Sequence, residues 1–114
     1  MARSKIPGPL ERRRLIERDM SDAQALALAE SYLAEGRNVE AIDFLCKAGA
    51  EDRLASLRSA AVQAGDLFLL RAVAQATRQA PQSEEWAALA RAAEAAGKDR
   101  YAAEALRQAE RGED

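Results

Sequence analysis

Glycine recurs along this chain at 36, 49, 65, 97 and 112, and Pro81 stands where one further glycine would fall. The resulting intervals of 13, 16, 16, 16 and 15 residues are the length of a three- to four-turn helix plus its connection. Glycine accepts the left-handed conformation that closes a helix, and proline soon after a helix end blocks continuation. The chain is therefore cut into helix-length pieces, and what lies between the cuts decides its class. Apolar residues recur there at three- and four-residue steps. Examples are Ala25, Leu28, Ala29, Tyr32 and Leu33, followed by Val39, Ile42 and Cys46 with a second stripe of Ala41, Leu45 and Ala48. No segment alternates apolar with polar at a period of two. The expectation is an all-α protein.

Helices are expected near 9–19, 21–35, 38–48, 51–64, 66–79, 83–96 and 99–111, with Ser21, Asn38, Asp66, Ser83 and Asp99 as N-caps and Pro9 at a first helical position. Residues 1–8 carry no periodic pattern and read as a flexible arm, leaving one domain over 9–114. Alanine accounts for 28 of the 114 residues. Side chains that small favour helices in close contact within a thin layer over a thick core.

Superposing Gly36, Gly65 and Gly97 places Leu28, Leu57 and Leu89 eight residues upstream and Tyr32, Ala61 and Ala93 four upstream. The pieces repeat as helical hairpins over about 21–49, 51–80 and 83–112. In the third, Trp86, Leu89, Ala90, Ala93, Gly97, Ala102, Leu106 and Ala109 follow the spacing of the tetratricopeptide repeat. In the first, Ala25, Leu28, Ala29, Tyr32, Gly36, Ala41, Leu45 and Ala48 do so, and the middle one fits only at Leu54, Leu57, Ala61 and Gly65, with Arg58 where a small residue is wanted. The chain thus resembles that family over residues 21–112. The resemblance implies a short right-handed superhelix of about three antiparallel hairpins, with the helix at 9–19 as an amino-terminal cover.

It further implies a concave groove lined by the first helix of each hairpin. The inward positions map onto Ala23, Leu26, Glu30 and Leu33, then Asp52, Ala55, Ser59 and Val62, then Glu84, Ala87, Arg91 and Glu94. A groove of this kind takes a protein or peptide segment. With Arg91 its only cation, it is not expected to clamp a terminal carboxylate, which needs several converging donors.

The helix at 66–76 raises a separate expectation. Leu67, Phe68, Leu69 and Leu70 are consecutive, so apolar side chains point to every side. Phe68 and Leu69 are either buried within the chain or form a patch for a partner or for a second copy in a homodimer.

Chemistry is thinly provided for. The chain has no histidine and a single cysteine, so neither an imidazole base, a disulfide nor a sulfur–imidazole zinc site is available. No cofactor, metal or small-molecule substrate is expected, and Cys46, lying on an apolar stripe, reads as an inert core thiol. The net charge of −2 combines six cations against three anions in residues 1–20 with an acidic remainder. "ERRRLIER" at 11–18 lacks both the neighbouring aromatics of a nucleic-acid reader and the apolar content of a membrane-surface helix, so it reads as a solvated face. With no secretory or membrane-spanning apolar run, a cytoplasmic location is expected. The function these features point to is a non-enzymatic adaptor, or alternatively a self-assembling structural protein.

Overall fold

The computed structural model describes residues 6–17 and 20–111. Most of the arm expected at 1–8, the helix end expected near Asp19 and the stop expected at Gly112 lie outside them. The described residues form seven helices and no strand: α1 (Pro9–Glu17), α2 (Asp22–Ala34), α3 (Asn38–Lys47), α4 (Glu51–Ala64), α5 (Leu67–Thr77), α6 (Ser83–Ala95) and α7 (Asp99–Glu110). The chain divides into two compact units, 1–54 and 55–114.

The glycine punctuation operates as helix chemistry requires. Gly36, Gly49, Gly65 and Gly97 all have φ between 65° and 75°. Around each the same pair of hydrogen bonds recurs. At the end of α2, Gly36 donates to the Leu33 carbonyl at 3.0 Å and Arg37 to the Tyr32 carbonyl at 2.9 Å. At the end of α6, Gly97 donates to Glu94 at 3.0 Å and Lys98 to Ala93 at 2.8 Å. This is the six-to-one and five-to-two closure that satisfies orphan carbonyls once one residue turns left-handed. The fifth stop departs from expectation in its residue. Arg78, three positions before Pro81, carries the positive φ of 58° at the end of α5, and Gln79 donates to the Ala74 carbonyl at 3.0 Å. Proline prevents extension, but its fixed negative φ cannot make the left-handed turn itself.

At the helix starts, Ser21 and Asp66 cap as expected. The Ser21 hydroxyl accepts from the Gln24 amide at 3.1 Å while the Gln24 side chain accepts from the Ser21 amide, and Asp66 Oδ1 accepts from Leu69 N at 3.0 Å. Asn38, Ser83 and Asp99 are instead the first helical residues, the cap positions falling on Arg37, Gln82 and Lys98. Both Asn38 and Asp99 follow the residue after a helix-closing glycine, so the connection is too short to leave them outside the next helix.

In unit 1, α2 and α3 pack together, and Ala25, Ala29, Tyr32, Ala41, Phe44 and Leu45 are fully buried. The Tyr32 and Phe44 rings stack with centroids 5.6 Å apart and planes 14° from parallel. In unit 2, α6 and α7 pack together, and Ala61, Leu70, Leu89, Ala93 and Ala105 reach zero exposure. Alanines therefore hold many of the fully enclosed positions of both units, where a small side chain lets backbones approach closely. Large apolar side chains contribute about 1.5–3 kcal/mol each when buried, so Tyr32, Phe44, Leu45, Leu70 and Leu89 anchor the two cores.

Burial at the superposed positions is equal in part. Tyr32, Ala61 and Ala93 are all fully buried. Leu57 and Leu89 are buried but Leu28 is half-buried. Leu45 and Ala74, nine residues past their glycines, are buried, whereas Leu106 in the same register is 50% exposed.

Arg58, which breaks the repeat pattern, has a role of its own in unit 2. Its guanidinium forms two hydrogen bonds to Glu85 of α6, at 2.7 and 2.8 Å, and a third to the Gln79 carbonyl at 2.9 Å. The fork ties α4 to the segment between α5 and α6. It also holds the Glu85 carboxyl below its ordinary range, with the Gln82 amide a smaller contributor. A carboxyl whose folded pKa is depressed stabilises above its unfolded value near 4.5 and loses that contribution as pH falls through the folded value. Glu85→Gln should therefore cost about 1–2 kcal/mol at neutral pH, the figure reduced for a partly exposed carboxylate. Thermal unfolding of wild type and variant should converge as pH falls through the folded value. A gap that does not narrow in acid would show that the charged fork is not its source.

Candidate functional site

The groove positions of the third hairpin gather in one place. Ala87, Arg91 and Glu94 of α6 line a cleft of about 420 Å³ together with Asp99, Ala102 and Leu106 of α7. Helical spacing explains the α6 side, because residues four and seven apart share a face. The cleft lies between the two helices of one hairpin. Its lining mixes small apolar side chains with one cation and two anions. Leu106 is its largest apolar member, 50% exposed.

Other expected groove residues do not join it. Leu26, Glu30 and Leu33 are half-buried on α2 in unit 1. There Glu30 pairs with Arg53, an interaction the groove reading did not include. On α4, Ala55 and Ser59 are exposed and Val62 half-buried, with the Gln63 amide donating to the Ser59 hydroxyl at 3.4 Å. Glu84 lines a different cleft, of about 490 Å³, around the Arg58–Glu85 pair.

Phe68 and Leu69 separate. Phe68 is 60% exposed and Leu69 is 5% exposed, so the two form no common patch. Successive helical residues point about 100° apart, and on α5 the buried set Leu67, Leu69, Leu70, Val73 and Ala74 leaves only the Phe68 direction outside. The exposed aromatic remains, one turn before Arg71. Arg71 bonds Glu104 of α7 at 3.0 Å and lies over the Trp86 ring at 5.8 Å. Glu104 also accepts from Gln108 and Arg107, and these donors, Gln108 foremost, pull its carboxyl down to about 2.

Two further readings need correction. Cys46 is exposed because on α3 Ala41, Ile42, Phe44 and Leu45 take the buried directions. Its thiol is nevertheless pushed up by partial burial and by Asp43, away from the thiolate form that reacts. Arg12, expected on a solvated face, is instead only 20% exposed and reaches across to Asp43 at 3.1 Å and the Glu40 carbonyl at 2.7 Å. Nothing in "ERRRLIER" distinguishes it from Arg13 or Arg14, since which arginine lands on an aromatic pair is set by the docking of α1.

Among the described residues, no group of three or more acidic, cysteine or histidine side chains is placed to hold a metal ion, and no helix is long and apolar enough to cross a membrane. The α6–α7 cleft can offer van der Waals contact and one cation. It brings together no nucleophile and base. Compared with protein-family models, curated proteins and solved structures, the chain matches none.

Proposed function

We propose that the protein is a non-catalytic interaction module that holds a protein or peptide segment, in keeping with the tetratricopeptide-like reading of its repeat. The observation that carries this is the α6–α7 cleft, in which three of the four groove positions mapped onto the third hairpin converge. A surface where Leu106 stays half-exposed while its counterparts Leu45 and Ala74 are buried has apolar area left to cover. Covering it supplies the association energy, and Arg91 supplies orientation toward an acidic group on the segment. The test is retention of a partner by the immobilised protein compared with Ala87→Glu and Leu106→Glu variants. Loss of the same partner from both variants, with helicity unchanged, is the expected result; undiminished retention would reject the cleft.

A second reading is supported by Phe68. A large aromatic 60% in water on the exposed face of α5 is a candidate contact for a second copy of the chain. Light scattering decides: a wild-type mass of two chains that Phe68→Glu returns to one would establish the homodimer. A monomeric wild type would dismiss it.

A further inference from the structure

α1 has only a thin apolar face of its own. Leu10 is 64% exposed, Leu15 and Ile16 are half-buried, and a nine-residue helix is too short to persist in water unaided. Its anchor is Arg12. The guanidinium carbon lies 5.4 Å from the Tyr32 ring centroid and 5.5 Å from that of Phe44. A terminal nitrogen donates to the Glu40 carbonyl and to Asp43. A stacked aromatic pair beside two acceptors is the arrangement that recognises a planar guanidinium.

The fit is incomplete. Arg12 Nε and the Tyr32 hydroxyl are both buried with no hydrogen-bond partner, although Tyr32 is fully enclosed. Buried polar groups left unpaired are destabilising, so α1 occupies this cradle without satisfying it. The Glu40 carboxylate is taken by Arg37, which bonds both of its oxygens and lies 5.0 Å from the Tyr32 centroid, so the acid left to receive a basic ligand is Asp43, 54% exposed at its side chain.

We propose that α2 and α3 build an arginine-binding site for a basic segment of a partner protein, and that α1 is its internal occupant, displaced when the partner's arginine enters. The site lies within residues 1–54 and is separate from the α6–α7 cleft, so it stands or falls independently of the groove.

The probe is a labelled peptide of residues 6–17, titrated into the full chain and into full-length Arg12→Ala. Removing the internal competitor should tighten peptide binding roughly tenfold or more, because apparent affinity scales with the fraction of open sites. The same peptide carrying Arg12→Ala should not bind, and shifts on binding should map to Tyr32 and Phe44. Absence of binding to the Arg12→Ala chain, or equal binding of both peptides, would overturn the proposal. So would failure of the Arg12→Ala chain to fold, which would make Arg12 a fixed part of the unit. A doubled mass with α1 exchanged between copies would overturn it in favour of a second copy as occupant.

Discussion

Gly65→Ala should be among the most damaging single-methyl changes available in this protein, lowering stability by about 2–5 kcal/mol. Two independent costs combine at that position. Its φ of 68° lies where an L side chain is disfavoured by about 1–2 kcal/mol. A Cβ there would also sit 2.5 Å from both the Cα and the backbone nitrogen of Ala93, and relieving such overpacking costs typically 1–3 kcal/mol more. The obstacle is the backbone of α6, so no side-chain rotation can yield. Gly97 separates the two costs, since it has a φ of 75° with nothing within 4 Å of an added Cβ. Gly97→Ala should therefore cost only about 1–2 kcal/mol. Urea unfolding of both variants, compared by midpoint at equal slope, measures the difference. Equal losses would mean that α4 and α6 do not approach as closely as described.

Phe44→Ala should cost about 3–5 kcal/mol, the range for removing a large buried aromatic. Phe44 is fully buried, stacked on Tyr32 and beneath Arg12, so truncation leaves a cavity and removes one wall of the arginine cradle. The matched control is Phe68→Ala. At 60% exposure it makes few contacts to lose, and its replacement should fall within about 0.5 kcal/mol of wild type. Thermal melts of the two variants make the contrast measurable. A Phe68 variant as unstable as the Phe44 variant would show that α5 buries its aromatic after all.

Both phenylalanines lie in runs that look alike as text. "IDFLCK" and "DLFLLR" each place a phenylalanine beside leucine within a helix, yet one ring is enclosed and the other solvated. The difference follows from the angular position of each residue relative to the helices packed around it. An apolar run of four supplies too many candidate faces for periodicity to choose among. Arg12 and Arg58 carry the same lesson for polar residues. Arg58 was legible only as a charge where a small residue is wanted and Arg12 only as one cation of a solvated face, yet their side chains reach partners 27 and 31 residues away.

Local chemistry was sufficient for the elements themselves. Left-handed glycines, a serine and an aspartate with side-chain oxygens, and apolar spacing of three and four act over five or six residues, so the helices and their glycine-closed ends are legible in the chain, whereas the caps of α3, α6 and α7 fall one residue before the expected ones and α5 closes at Arg78. Burial of Leu69 against exposure of Phe68, the open register at Leu106, and the seating of Arg12 on two rings depend on contacts between residues distant in sequence. Those contacts exist only once helices have docked, and it is there that the candidate binding surfaces arise.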